Sequence, residues 1–278
     1  MQAVIITAYK DPEMLYRLCG ELDREHFSIF IHIDKRYIRD FDAGRLKAGG
    51  NVEVYSEYAT TWGSIKHLYA ILLLLKKAVS HNEVSYIHII SGQDYPVHDI
   101  REAENDNRIY LSDAPVPEER YRQYNICGMF DQGKRAAEDL YRRSVRLQKL
   151  IGIRRCRLGE YESIYKGTVW SSMPKAAAEY ALDKAGEQGF LKDLRTTYIP
   201  EEFFFQTIFF NSPEWRERVV RNNRRYVVWD KRDGLKAPAV LDERDIEAIR
   251  GTDAWFARKM DSVLSAGLLD MLDRENYF

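Results

Sequence analysis

Several features that would mark particular classes of protein are scarce or missing in this sequence. The 278 residues include only three cysteines, Cys19, Cys127 and Cys156, an odd number without metal-type spacing. This indicates reduced thiols and excludes a disulfide framework as the source of stability. The aliphatic run at 71–75 is far too short to cross a bilayer. Residues 1–8 lack the basic flank and longer apolar core of a signal peptide.

The sequence also lacks a large excess of charge of either sign, internal repeats and flexible linkers. The net charge of −1 argues against a protein built for nucleic-acid binding. We find no internal repeat, no low-complexity tract and no Gly/Ser/Pro-rich linker. A 45% hydrophobic content supplies a large core. We therefore expect one soluble, cytoplasmic domain spanning residues 1–278.

Short apolar runs alternate with amphipathic stretches along the chain. This alternation predicts an α/β fold with a mostly parallel central sheet flanked by helices. Predicted strands cover 4–7, 27–33, 52–55, 84–90, 108–112 and 122–126. Predicted helices cover 12–22, 64–78, 134–150, 174–184 and 201–209, with further helices beyond 242.

Polar residues follow two of the predicted strands. His32 and Asp34 end the second strand, and Gln93 and Asp94 follow the fourth. Ligands of open α/β sheets bind beyond the carboxyl ends of the strands. Two such clusters favour a nucleotide-type pocket, although ordinary loops capped by Asp and Ser have the same composition.

Two adjacent carboxylates, Glu201 and Glu202, follow Pro200 and precede three phenylalanines. Proline and acids both suit the first turn of a helix. On a helix the two glutamates project about 100° apart. One could face solvent and the other a partly apolar pocket suited to a general base. A plain acidic first turn in front of an aromatic core stripe is the alternative.

An ordered set of motifs resembles the core-2/I-branching glycosyltransferases, which include peptide O-xylosyltransferases. The resemblance extends over nearly the whole chain. It rests on His32-Ile33-Asp34-Lys35, Thr61-Trp62-Gly63, Ser91-Gly92-Gln93-Asp94-Tyr95-Pro96, Pro200-Glu201-Glu202-Phe203, Arg225-Tyr226-Val227-Val228-Trp229 and Trp255-Phe256-Ala257-Arg258-Lys259-Met260-Asp261. It implies a GT-A fold, a UDP-sugar donor and inversion to a β-linkage.

The resemblance also implies roles for individual residues. Glu202 would be the general base that deprotonates the acceptor hydroxyl. Lys259 and Lys236 would neutralise the departing diphosphate, with Arg258 as a further candidate. At Lys236 the animal core-2 enzymes have arginine, and lysine keeps the charge without the planar fork. For the two lysines, a solvated position on a helix face or loop is the alternative.

No metal or other cofactor is expected, because the core-2 type uses basic side chains in its place. The only Asp-x-Asp sequence, Asp40-Phe41-Asp42, lies in a polar loop and has the character of an exposed acidic turn. After the fourth strand, Gln93-Asp94 has no second acid in register. His32 and Asp34 lack a third ligand nearby in the sequence.

For the nucleotide and sugar we consider six residues. Asp34 and Asp94 could accept hydrogen bonds from ribose or uracil, and Gln93 is their neighbour. His32 is more typical of a structural histidine than of a ligand. Trp62 and Trp170 suit either core packing or the site; the resemblance places an aromatic near the sugars at Trp170.

Residues 134–157 contain nine Lys and Arg against Glu138 and Asp139, with apolar residues at helical spacing. Such a basic amphipathic helix can lie on an anionic membrane, hold an anionic acceptor, or present a solvated face. Lipid-linked acceptors would combine the first two.

We therefore expect a metal-independent, inverting glycosyltransferase that uses UDP-N-acetylglucosamine. UDP-xylose, UDP-galactose or UDP-glucose as donor is an alternative, as is a non-catalytic nucleotide- or glycan-binding relative. The chain lacks the disulfide cysteines and membrane anchor of animal Golgi enzymes, so we expect a bacterial protein of surface-polysaccharide synthesis. The sequence identifies neither the acceptor nor the oligomeric state.

Overall fold

The computed structural model describes residues 1–22, 25–47, 50–125, 134–187, 189–232, 234 and 237–275, except for the side chains of residues 134, 135 and 137. Its centre is a seven-stranded sheet. The strands are β1 (Gln2–Ala8), β2 (Phe27–Ile33), β3 (Val52–Tyr55), β4 (Tyr86–Ser91), β6 (Ile109–Tyr110), β7 (Ser171–Pro174) and β8 (Val219–Val220).

The strand order is β3-β2-β1-β4-β7-β6-β8. The four strands from β3 to β4 are mutually parallel, and β7 runs antiparallel to both β4 and β6. Every residue of β2 and β4 is buried, as expected for parallel strands covered on both faces. The expected α/β fold with a mostly parallel sheet is thus confirmed.

A second, three-stranded sheet contains β5 (Asp94–Pro96), β9 (Arg225–Val227) and β10 (Phe256–Arg258) in the order β5-β10-β9. Strand β5 begins three residues after the end of β4. The second sheet therefore brings the C-terminal part of the chain, including Arg258, beside the carboxyl end of the main sheet.

The helices cover both faces of the main sheet. They are α1 (Pro12–Glu21), α2 (Ala43–Lys47), α3 (Lys66–Ser80), α4 (Glu118–Arg122), α5 (Lys134–Leu150), α6 (Lys175–Gly186), α7 (Phe190–Leu194), α8 (Glu201–Asn211), α9 (Ile246–Arg250) and α10 (Ala266–Glu275). Within the described ranges, none of these helices has the combination of length and hydropathy needed to span a membrane.

Helix α8 is buried along almost its whole length, including Phe203, Phe204, Phe205, Phe209 and Phe210. A helix that is apolar all round belongs in the interior. Its first turn nevertheless carries Glu201 and Glu202, so the apolar packing of α8 fixes the position of both carboxylates.

The structure corrects two expectations about strands. Residues 122–125 do not form the predicted strand; Arg122 ends helix α4 instead. The strand predicted at 108–112 is only Ile109–Tyr110, because the chain then leaves the sheet.

The Asp40-Phe41-Asp42 turn is exposed at both aspartates, and the Asp42 carboxylate accepts hydrogen bonds from the Gly44 and Arg45 N–H groups at the start of α2. This confirms its interpretation as an acidic turn.

Candidate active site

The carboxyl ends of β1, β2 and β4 meet at one edge of the sheet. Ala8 is paired with Ile33, and Thr7 with Ser91. The loops that follow carry Asp34 and Asp94. The two polar clusters expected from the sequence therefore flank the same strand, β1, and face a common edge.

Asp34 is buried, and its carboxylate is held by its own chain. It accepts hydrogen bonds from the Arg36 backbone and guanidinium and from the Thr60 N–H and hydroxyl, at 2.5–3.1 Å. Burial by itself would raise the pKa of Asp34, but these hydrogen bonds outweigh it and lower the pKa to about 2. Asp34 thus anchors the loop 34–36 to residue 60, and contact with a nucleotide remains a prediction.

His32 is almost completely buried. Its Nε2 accepts the Tyr58 backbone N–H at 3.1 Å, and its ring stacks on that of Tyr58. Burial lowers the pKa of His32 to about 4, so the ring is neutral at pH 7. These contacts give His32 a structural role beside Tyr58, and a contact of its ring with a nucleotide stays a prediction.

Asp94 and Arg258 form a buried pair behind the β4 loop. Asp94 accepts from the Ser91 N–H at 2.7 Å and from the Ser91 hydroxyl. Arg258 Nε lies 3.7 Å from Asp94 Oδ1, and neither atom has a hydrogen-bond partner among the described residues. Burial lowers the pKa of the Arg258 guanidinium, and Asp94 opposes that shift. Gln93 packs beside this pair and bonds Met260 through backbone and side chain.

Trp170 connects this pair to helix α3. The Arg258 guanidinium lies 4.3 Å from the centre of the Trp170 ring, and His67 lies 5.9 Å from it on α3. Gly167 allows this segment to approach α8 closely, since a Cβ at that position would lie 2.1 Å from the Ser112 carbonyl oxygen and 2.6 Å from Gln206 Nε2 on α8. The indole is therefore in contact with a cation and close to a tilted imidazole.

Glu201 is the buried member of the glutamate pair. Its Oε1 lies 3.1 Å from His67 Nδ1, and His67 Nε2 lies 3.2 Å from the Thr7 hydroxyl at the end of β1. Glu201 Oε2 is buried without a hydrogen-bond partner in the described part of the chain. Glu201, His67 and Thr7 thus form a continuous polar row that reaches Trp170.

Glu202 is the more accessible member, with 26% of its side chain exposed. Arg120 Nη1 lies 2.6 Å and Lys166 Nζ 3.2 Å from the same oxygen, Oε2. The other oxygen, Oε1, makes no hydrogen bond or ion pair with a described residue. The carboxylate is held by one oxygen and can accept a proton on the other.

Two lysines, Lys236 and Lys259, are expected at the diphosphate. Lys236 lies outside the described residues. Lys259 follows β10 and is half-buried, and its backbone bonds Ala239 and Leu241. Lys259 is thus the chain neighbour of Arg258, and its contact with phosphate stays a prediction.

Trp62 lies apart from this cluster, at the rim of a cavity of about 480 Å³. The cavity extends from Arg120, the partner of Glu202, to helix α5. It is lined by Trp62, Glu119, Arg120, Glu138, Tyr141, Arg142, Val145, Arg146, Lys149 and Tyr198. Trp62 meets the Tyr198 ring edge-on, and Tyr141 stacks on Tyr198 at 4.0 Å.

Sequence reasoning missed His67, Arg120 and Lys166. His67 lies in the apolar helix α3, and only its packing against α8 gives it a carboxylate partner. Arg120 and Lys166 reach Glu202 from two different segments that both precede it in the chain. Within the ranges that the structure describes, no three His, Cys, Asp or Glu side chains are grouped as a metal site would require.

Comparison with known proteins identifies the family. The model of the Core-2/I-Branching enzyme family matches residues 4–250, so this chain belongs to that family, which is one of glycosyltransferases. The chain is 24% identical to xylosyltransferase 1 of mouse and of dog over 278 residues, covering 90% of this chain and 28% of each relative. It therefore spans little more than a quarter of those relatives.

Solved structures give weaker similarity. An active-site mutant of LgtC aligns with a TM-score of 0.42 at 9% identity, covering 97% of this chain and 94% of that one. The galactosyltransferase LgtC in complex with donor and acceptor sugar analogues aligns with a TM-score of 0.40 at 8% identity, covering 98% and 95%.

Proposed function

We propose that this chain is an inverting glycosyltransferase that moves a sugar from a UDP-sugar to an acceptor hydroxyl without a metal, with Glu202 as general base. One observation carries the proposal. In the first turn of α8, Glu202 is held through Oε2 alone, while Oε1 makes no hydrogen bond or ion pair with a described residue. A base must be fixed in position and still have an oxygen available for the proton.

The adjacent cluster suits a donor sugar and its leaving group. Three buried polar atoms without partners in the described structure, Asp94 Oδ1, Arg258 Nε and Glu201 Oε2, are joined through contacts with Trp170 and His67. Buried polar groups normally find hydrogen-bond partners, and sugar hydroxyls can supply them. Trp170 offers an aromatic face to the apolar side of the ring.

The proposed reaction combines a proton transfer to Glu202 with the departure of UDP. The acceptor hydroxyl loses its proton to Glu202 as its oxygen forms a bond to the anomeric carbon. The bond from that carbon to the diphosphate oxygen breaks on the opposite face, and UDP leaves with the electron pair. Lys259 and Arg258 supply positive charge near the departing diphosphate, with Lys236 as the third candidate.

Two donor sugars have support. The motif resemblance described above favours N-acetylglucosamine, whereas the relatives at 24% identity are named xylosyltransferases. We retain UDP-N-acetylglucosamine as the first candidate and UDP-xylose as the second. Synthesis of a bacterial surface polysaccharide remains part of the proposal.

For the acceptor we propose the 480 Å³ cavity beside Arg120. Tyr141, Tyr198 and Trp62 provide aromatic surface for sugar rings. Arg142, Arg146 and Lys149 line one wall without a salt bridge to a described residue. An acceptor carrying a phosphate or carboxylate would match these cations.

Substitution of each glutamate tests the base. Glu202→Gln should lower the transfer rate by about 10²–10⁴-fold, the usual contribution of a general base. UDP binding, measured by calorimetry, should stay within about twofold because the variant keeps the side-chain volume. Glu201→Gln is the matched control and should retain the larger share of turnover. Unchanged turnover in Glu202→Gln, or a collapse confined to Glu201→Gln, would refute the assignment.

A further inference from the structure

Helix α5 has apolar side chains on two opposite faces. Its inner face carries Tyr141 and Val145, which pack with Tyr198 and Ile199. At about 100° per residue, Leu147 and Leu150 project to the opposite side. Their exposures are 58% and 83%, in agreement with this geometry. The outer face is therefore apolar and is covered by no described residue.

This outer face is part of a concentrated patch. Exposed large apolar side chains between residues 140 and 153 are Leu140, Leu147, Leu150, Ile151 and Ile153. Single exposed apolar residues need no explanation, but a contiguous group marks an interaction site. We name these five residues the outer apolar patch.

Positive charge surrounds the outer apolar patch. Arg143 projects between Leu147 and Leu150 on the helical wheel, and Arg154 follows Ile153. Arg142 and Arg146 flank the patch on the cavity side. Arg142, Arg143 and Arg146 form no salt bridge with a described residue. The charges are thus available to a negatively charged partner.

We propose that the outer apolar patch and its arginines dock the protein onto an anionic lipid bilayer. An apolar stripe edged with arginine is the pattern of helices that lie in the membrane interface, where apolar side chains enter the acyl boundary and cations meet headgroups. A protein partner would have to match both features, whereas a bilayer supplies both over any area. The acceptor cavity lies on the other side of α5, so docking leaves it open.

The test is co-sedimentation of the whole protein with vesicles. We expect binding to phosphatidylcholine vesicles containing about one-third phosphatidylglycerol, weaker binding to pure phosphatidylcholine, and a strong decline at ~0.5 M salt, where charges are screened. Leu147→Ser with Leu150→Ser should weaken binding at least about tenfold. Arg143→Gln should weaken it about fivefold.

The matched control is Val263→Ser with Leu264→Ser, which removes two side chains of 77% and 52% exposure elsewhere on the surface. It should bind like the wild type. Absence of binding at low salt, or equal losses in both double variants, would overturn the proposal. A wild-type dimer that Leu147→Ser with Leu150→Ser converts to monomer would overturn it too, by assigning the face to a second copy. UDP-sugar turnover with a soluble acceptor is independent of docking and should match wild type in all three variants.

Discussion

The pair of Asp94 and Arg258 is predicted to couple strongly, and a double-mutant cycle can measure it. Two unit charges 3.7 Å apart attract by roughly 4 kcal/mol at an effective dielectric constant of 20. Removal of one partner of a buried pair costs about 3–5 kcal/mol, because the other charge is left buried. Asp94 keeps two hydrogen bonds from Ser91, so we expect the lower limit, about 3 kcal/mol, for Arg258→Met.

Asp94→Asn in the Arg258→Met background should then be well tolerated, since no unpaired carboxylate remains. We expect a coupling free energy of about 2–3 kcal/mol from urea unfolding of the wild type, both single variants and the double variant. Both the double variant and Arg258→Met should also lose transferase activity, since Arg258 contacts Trp170. Additive effects within about 0.5 kcal/mol would refute the pair as an energetic unit.

Two further predictions concern His32 and the acceptor cavity. Burial and nearby His67 lower the pKa of His32 to about 4, despite the opposing charge of Asp34. The neutral ring therefore stabilises the folded state above the unfolded pKa of about 6.5. This contribution to stability is lost as the pH falls from about 6.5 toward 4. Between pH 7 and pH 5, the free energy of unfolding in urea should therefore fall by about 2 kcal/mol more for the wild type than for His32→Gln. Equal decreases in the two proteins would show that His32 is not the source of this pH dependence. Arg146→Gln should raise the KM for an anionic acceptor about tenfold, the loss of one charge-assisted hydrogen bond, with kcat unchanged. Arg143→Gln is the matched control from the outer face of α5, and equal KM changes in both variants would contradict the cavity as the acceptor site.

The strands that could be predicted are those with long apolar runs. Strands β1, β2 and β4 are recognisable because burial on both faces requires consecutive apolar residues. Strand β7, Ser171–Pro174, is short and half polar, and β10 contains Arg258, so neither has such a run. The strand predicted at 122–126 is absent over residues 122–125, because Tyr121 and the start of this segment belong to helix α4; residue 126 lies outside the described residues.

Features of the site that lie within one short segment of the chain could be predicted from the sequence. Pro200 and the adjacent acids indicated a helix start with one carboxylate buried and one accessible, and that division is present. The segment alone pointed to the buried carboxylate as the base, whereas Glu202, the proposed base, is the accessible one. Which glutamate would be accessible could not be derived from the segment alone, since it depends on His67 from α3 and on Lys166. Contacts between distant segments are set by packing, and no local pattern records them.

The measurement that tests the central claim most directly is UDP release from a panel of UDP-sugars, with and without EDTA, in the presence of simple and anionic glycoside acceptors. We predict turnover with one preferred donor, UDP-N-acetylglucosamine or UDP-xylose, at a rate that EDTA leaves unchanged. Activity abolished by EDTA and restored by a divalent metal would contradict the roles of Arg258 and Lys259 at the diphosphate. Failure of every UDP-sugar to bind or react would contradict the proposed transferase itself.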